Sequence, residues 1–260
     1  MLFHDAFYRF IKLENPNETR DHLEQVCLEA EVLGTILLAT EGINGMLCGS
    51  SQALQIVRDA LETDSRFAKL FYKRTTCSQQ VFKRLKVKVK PEIVPLGVAG
   101  IDTQNFKGTD VSPIIWRELL QRDDVILIDN RNSFEFELGH FKGAINPNID
   151  NFRDFASYLE THLPEWQTQN KTVAMYCTGG IRCEKTTAWQ AMRGFEILQL
   201  EGGILNYFQN IENAEADYEG TCFVFDAREV LDTKNQEAQV YDTDFVSNTA
   251  RLFTKTRKIS

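Results

Sequence analysis

The first ninety residues alternate between short apolar runs and helical patterns with one apolar side. Apolar residues at every second position predict strands, whereas apolar residues spaced by three and four predict amphipathic helices. The predicted strands span 6–13, 33–40, 43–48 and 85–89, and the predicted helices span 18–31 and 52–62. Glu41-Gly42 is the turn of a predicted hairpin, and Ser50-Ser51 caps the second helix. The resulting order is β-α-β-β-α-β, with Leu85–Val89 as the final strand.

That order matches the ferredoxin-like split βαβ motif, so we predict an α+β domain over residues 1–95. Residues 92–111 are rich in proline and glycine and are predicted to be a linker. From residue 110 onwards strands and helices alternate, which predicts an α/β domain with a mainly parallel sheet over 110–212. Its predicted strands are 125–128, 172–176 and 197–200, and its predicted helices are 114–121, 152–163, 184–193 and 204–208. Residues 213–260 form a C-terminal extension, predicted to be a weakly ordered tail after about residue 232.

Composition is consistent with two globular domains. The chain has 260 residues, 43% hydrophobic and 25% charged. No apolar run approaches the roughly 18 residues of a membrane span, and no signal peptide is visible. Six scattered cysteines form no C-x-x-C pair, so a zinc site is not expected. We therefore expect a reduced, cytoplasmic protein without a membrane partner.

The charge distribution changes this picture, because the net charge of −8 is uneven. Residues 66–91 contain nine Lys or Arg and no Asp or Glu. Around the final strand, cations alternate with apolar residues, which would place them on one face where they could follow a nucleic-acid backbone. The candidate RNA-binding residues are Lys73, Arg74, Lys83, Arg84, Lys86, Lys88 and Lys90. The alternative is a solvated sheet face whose lysines protect an edge from aggregation.

The stretch Tyr176-Cys177-Thr178-Gly179-Gly180-Ile181-Arg182-Cys183 carries the most specific chemistry. A strand enters it and a helix leaves it, so backbone N–H groups can point at the Cys177 sulfur. The helix dipole and Arg182 both favour a thiolate. Four residues separate Cys177 from Arg182, one fewer than in cysteine phosphatases, and this suits a smaller guest such as the terminal sulfur of a persulfide. The alternative is a buried cysteine at a strand end.

This strand–Cys–loop–Arg–helix unit resembles the active loop of rhodanese-fold proteins. Leu127–Arg131, Gly139–Pro147 and Leu200–Ile204 resemble other signatures of that fold, so the resemblance covers about residues 110–212. With Thr40-Glu41-Gly42-Ile43-Asn44-Gly45 and Cys222-Phe223-Val224-Phe225-Asp226, the chain also resembles the oxygen-dependent tRNA uridine(34) hydroxylases. Many members of that family have longer tails with cysteine pairs, and this sequence has none.

The family resemblance implies an oxidoreductase that converts uridine 34 in the tRNA anticodon to 5-hydroxyuridine. It implies O2 as co-substrate and the anticodon stem-loop of tRNA as partner. Cys177 is the implied catalytic residue, as nucleophile or persulfide carrier. The implied active-site loop consists of Thr178, Gly179, Gly180, Ile181 and Arg182, and the auxiliary candidates are Cys183, Asp129 and Arg131. Cys183 could resolve an oxidised Cys177 or simply pack under the helix, and Asp129 and Arg131 could brace loops or contact substrate.

No metal or flavin site is evident in the sequence. There are four histidines, and the one His-x-carboxylate pair, His22-Leu23-Glu24, lies on a polar predicted helix. No G-x-G-x-x-G follows a predicted strand. Two other functions remain open: a plain rhodanese sulfurtransferase, moving sulfur from thiosulfate or a persulfide to a small acceptor, and a non-enzymatic rhodanese module. The basic strand favours the uridine hydroxylase over the sulfurtransferase. Retention of Cys177 weighs against the non-enzymatic module.

Overall fold

The structure is a computed structural model that describes residues 1–238. Its N-terminal domain is a five-stranded sheet in the order β4-β1-β3-β2-β5. The elements are β1 (Leu2–Phe10), α1 (Pro16–Glu29), β2 (Leu33–Ala39), β3 (Gly42–Ser50), α2 (Ser51–Thr63), β4 (Lys73–Cys77) and β5 (Leu85–Val89). Apolar residues of α1 and α2, including Leu23 and Leu54, pack with strand residues such as Ile36 into one core. The predicted ferredoxin-like fold is therefore confirmed.

The strand that completes this fold is not the one that the sequence pattern indicated. Lys73–Cys77 pairs antiparallel with β1 and is the fourth strand of the motif. Leu85–Val89, predicted to be that final strand, is an additional edge strand parallel to β2. Periodicity missed β4 because its sequence, Lys-Arg-Thr-Thr-Cys, is almost entirely polar. Its polar side chains find partners within the protein, as Arg74 does by donating to Asp5 at 2.8 Å.

The second domain is built on a parallel sheet, as predicted, and its strand order is β6-β10-β9-β7. Its elements are β6 (Thr109–Val111), α3 (Pro113–Leu119), β7 (Val125–Asp129), α4 (Ser133–Leu138), β8 (Gly139–Phe141), α5 (Phe155–Thr168), β9 (Thr172–Tyr176), α6 (Ile181–Met192), β10 (Leu198–Leu200) and α7 (Gly203–Asn210). A 3-10 turn, Phe152–Asp154, precedes α5. The carboxyl ends of β7 and β9 lie side by side, which is where ligands bind in open parallel sheets.

The segment predicted as a linker is not an exposed tether. Ile93, Val94 and Leu96 are buried in the same apolar cluster as Met175 of β9 and Phe10 of β1. The proline- and glycine-rich composition correctly indicated irregular backbone, but it did not predict that these three apolar side chains are buried. The two domains consequently share one apolar cluster, in addition to the separate cluster of each.

The C-terminal extension is folded as far as the structure describes it. A 3-10 turn (Ala214–Ala216) leads to β11 (Tyr218–Gly220), which pairs with β8, and β12 (Cys222–Phe223) forms a hairpin with β13 (Val230–Leu231). The loop of that hairpin reaches the N-terminal domain, where the Ala227 N–H donates to the Val81 carbonyl. The predicted weakly ordered tail falls largely on residues 239–260, outside the described residues. No helix within residues 1–238 has the length and apolar character needed to span a membrane.

Candidate active site

Cys177 lies at the carboxyl end of β9, in a tight loop that turns into α6. Its side chain is 1% exposed, and its sulfur accepts a hydrogen bond from the Gly180 N–H at 3.1 Å. Gly180 has φ +97°, a conformation that a residue with a Cβ rarely adopts. This glycine allows the chain to turn sharply enough to aim its N–H at the sulfur.

The helix begins at Ile181, three residues before the predicted start, so Arg182 belongs to its first turn rather than to a loop. The opposite side of the loop rests on α7, where the N–H groups of Ile204 and Leu205 donate to the carbonyls of Cys177 and Thr178 at 3.0 and 3.2 Å. Gly203 permits this approach, because a Cβ there would lie 2.4 Å from the Cys177 carbonyl oxygen. Two helix N-termini therefore hold the loop.

The environment of Cys177 favours its ionised form. Burial alone would raise the pKa of the thiol, but the Cys183 thiol, the Arg182 charge and the backbone N–H groups of α6 outweigh burial and hold the pKa of Cys177 well below its usual value. Burial and the neighbouring Cys177 raise the pKa of Cys183 well above its usual value. The pair therefore consists of a thiolate at Cys177 and a thiol at Cys183. The Asn130 amide nitrogen lies 3.9 Å from the Cys183 sulfur.

Glu135, at the start of α4, is a site residue that the sequence analysis missed. Its carboxylate is fully buried and makes a two-pronged ion pair with Arg182, at 2.7 and 2.8 Å. It also accepts the Asn132 N–H at 3.1 Å. Burial opposes ionisation, but Arg182 and the other donors hold the pKa of Glu135 below its usual value. The signal in the sequence was Asn132-Ser-Phe-Glu135, a helix-capping spacing directly after β7.

Asp129 and Arg131, the auxiliary candidates, lie behind the loop and not at its opening. Both side chains are fully buried and paired with each other at 2.6 Å, and Arg131 also donates to the Gly139 carbonyl at 2.6 Å. The Arg131 guanidinium stands 5.8 Å from the centre of the Tyr176 ring. This placement is that of a brace between β7, β8 and β9.

The N-terminal domain covers the cysteine loop from the other side. The Tyr8 hydroxyl donates to Glu184 of α6 at 2.9 Å, and a Cβ at Gly180 would lie 3.0 Å from that hydroxyl oxygen. The Lys73 ammonium donates to the Gly179 carbonyl and, at 2.7 Å, to the Gly202 carbonyl. Lys73, predicted to bind RNA, is therefore held inside the cysteine site.

A second lysine joins the two sequence motifs. The Lys185 ammonium, on a side chain 1% exposed, lies 2.8 Å from Glu41 and 2.7 Å from Glu92 and donates to the Val94 carbonyl. Glu41 belongs to the N-terminal hairpin motif, and Lys185 lies in α6, two residues after the end of the cysteine stretch. Two stretches 144 residues apart in the chain therefore meet in one buried ion-pair cluster.

The remaining predicted RNA-binding cations lie away from this cluster. Arg74 is occupied by Asp5. Lys86 is half-buried, whereas four cations in and beside β5 are exposed: Lys83, Arg84, Lys88 and Lys90. Because β5 is an edge strand, these exposed cations form a basic edge of the N-terminal sheet.

Known proteins resemble both halves of the chain. Residues 4–93 match the family described as UPF0176 acylphosphatase like domain, and residues 114–210 match the rhodanese-like domain. A tRNA uridine(34) hydroxylase of Legionella pneumophila (strain Corby) is 45% identical over 230 residues, 88% of this chain and 90% of the relative. The protein of that name from Picosynechococcus sp. is 46% identical over 86% of this chain and 74% of the relative. One from Wolbachia pipientis is 42% identical over 87% and 80%.

Proposed function

Because this chain belongs to the tRNA uridine(34) hydroxylase family, we propose that it hydroxylates uridine 34 of tRNA at Cys177, giving 5-hydroxyuridine. The observation that carries the proposal is the contact between Lys185 and Glu41 at 2.8 Å. A sulfurtransferase that serves a small acceptor needs only the rhodanese domain. Here the cysteine motif is built against the N-terminal domain, which supports an activity that requires both.

The substrate side of the proposal rests on the exposed cations of β5 and its approach. Lys83, Arg84, Lys88 and Lys90 would contact phosphates of the anticodon stem-loop, whose loop bases are unpaired and can leave the stack. The half-buried Thr178 and Gly179 form the accessible rim of the cysteine loop. Uridine 34 would approach there, in the cytoplasm, where the six free cysteines stay reduced.

The electron balance of the reaction gives Cys183 a function. One atom of O2 enters the C5–H bond of the uracil and the other leaves as water, which consumes two electrons and two protons. Oxidation of the Cys177 thiolate and the Cys183 thiol to a disulfide supplies the two electrons and one proton, and the second proton comes from solvent water. The cell's thiol pool then reduces the disulfide. The influence of Cys177 and Cys183 on each other's pKa supports this pairing.

Nucleoside mass spectrometry of tRNA tests the function. A deletion strain should lack 5-hydroxyuridine and its derivatives, wild-type protein should restore them, and Cys177→Ser should not. Cys27→Ser is the matched control, because Cys27 is equally buried but lies in α1. Restoration by Cys177→Ser, or normal 5-hydroxyuridine in a deletion strain without a second pathway, would refute the proposal. Thiocyanate formation from thiosulfate and cyanide without any tRNA product would instead establish the sulfurtransferase.

A further inference from the structure

Lys73 is the first residue of β4, yet its ammonium lies in the active site of the other domain. It donates to the Gly179 carbonyl, in the loop between Cys177 and α6, and to the Gly202 carbonyl, just before α7. A Cβ at Gly179 would lie only 3.7 Å from the Lys73 nitrogen. The Lys73 side chain therefore links the turn at Gly179 to the turn at Gly202, and both turns shape the cysteine loop.

The charged and titratable groups around this ammonium are those of the cysteine site. Cys177, Glu184 and Cys183 all interact with it, and the Tyr8 ring centre is 5.8 Å away. Burial lowers the pKa of Lys73 to about 8, against the opposing effect of the negative charges of Cys177 and Glu184. Arg182, whose charge also favours the Cys177 thiolate, is ion-paired with Glu135. Lys73 therefore contributes a positive charge that no carboxylate within residues 1–238 pairs directly.

We propose that Lys73 is a positioning residue of the Cys177 site, through which the N-terminal domain fixes the cysteine loop and stabilises the thiolate. The ammonium holds the Gly179 carbonyl pointing away from the sulfur. Because the Gly180 N–H belongs to the same peptide group and points in the opposite direction, it is directed at the sulfur, 3.1 Å away. Its charge also favours ionisation of that sulfur. The inference concerns the thiol itself and holds whichever acceptor Cys177 serves.

The rate of Cys177 alkylation by iodoacetamide, followed by peptide mass spectrometry across pH, measures this effect directly. In Lys73→Met the midpoint of the profile should move up by roughly one pH unit, a tenfold change in the ionisation constant. Lys171→Met is the matched control, since Lys171 also donates to a backbone carbonyl, that of Asp123, far from Cys177. An unmoved midpoint in Lys73→Met would overturn the proposal.

Two further variants separate charge from packing. Lys73→Arg keeps a cation and should keep the midpoint of the alkylation profile close to that of the wild type. Lys73→Gln should raise this midpoint. If Lys73→Met does not fold, the midpoint of Lys73→Gln tests the proposal instead. Binding of Lys73→Gln to tRNA should show the wild-type salt dependence. A slope of log K against log salt reduced by about one would mean that Lys73 contacts a phosphate, and would refute the buried role.

Discussion

Glu135 illustrates how a single buried carboxylate determines the state of the site. It neutralises Arg182 through two hydrogen bonds, and neither side chain has appreciable access to water. Removing one partner of a buried pair leaves the other charge without compensation. Glu135→Gln should therefore lower the free energy of unfolding by roughly 3 kcal/mol, measured by urea denaturation.

The control for this prediction is a surface pair with the same residue types. Glu160 lies 3.3 Å from Arg193, and both side chains are about half exposed. Glu160→Gln should cost less than about 1 kcal/mol. Equal losses in the two variants would show that the Arg182 pair gains nothing from its burial.

The individual residues also show where sequence reasoning succeeds. Cys177 and Arg182 could be predicted as site residues because the residues that define their chemistry lie within one short stretch of sequence. Glu135 could not be paired with Arg182 because its partner is 47 residues away, and Lys73 was grouped with the cations because composition does not reveal which way a side chain points. Contacts between distant elements depend on topology, which a motif does not encode.

At the scale of elements, predictions held where periodicity and burial agree. The predicted bounds of β5 and β9 match the structure, since both alternate or run apolar throughout. β4 was missed because its polar side chains are satisfied by tertiary partners rather than by a core. The start of α6 was placed too late because Ile181-Arg182-Cys183 was assigned to the cysteine loop, whereas the helix begins immediately after Gly180.

A pH effect belongs to the junction between β1 and the β12–β13 hairpin. Burial and the Arg228 charge lower the pKa of His4 to about 4, and the Asp226 carboxylate 3.4 Å away only partly offsets them. The His4 imidazole therefore binds a proton near pH 6.5 in the unfolded chain but only near pH 4 in the folded chain. The free energy of unfolding consequently falls as the pH drops through this range. Between pH 7 and pH 5 the wild type should lose about 2 kcal/mol more than His4→Gln, by urea denaturation.

The control is His22→Gln, because His22 is exposed on α1. That variant should follow the pH dependence of the wild type. Identical pH dependence in wild type and His4→Gln would mean that His4 is not held neutral by this junction.

At the scale of the whole molecule, Lys185 joins two domains that also share one apolar cluster. Its loss leaves Glu41 and Glu92 together at the junction without their common cation. In Lys185→Met the two domains should unfold separately, whereas in the wild type they should unfold together. All three tryptophans (116, 166 and 189) lie in the rhodanese domain, so their fluorescence should report a transition distinct from far-UV circular dichroism only in the variant.

Lys142→Met provides the comparison, because Lys142 is an exposed lysine that donates to the Ala216 carbonyl within one half of the molecule. Its fluorescence and dichroism transitions should coincide. Coincident transitions in Lys185→Met as well would show that the apolar cluster around Ile93 and Leu96 is enough to couple the domains.

The uneven charge of the molecule leads to the last prediction. An acidic protein repels RNA on most of its surface, so binding should depend on the basic edge formed by Lys83, Arg84, Lys88 and Lys90. Changing Arg84, Lys88 and Lys90 to Ala should flatten the salt dependence of tRNA affinity by about two to three in log–log slope. The change of Arg122, Lys142 and Lys171 to Ala removes the same charge from the rhodanese half. If the slope falls equally in both triple variants, net charge and not the β5 edge governs binding, and tRNA must approach Cys177 from another face.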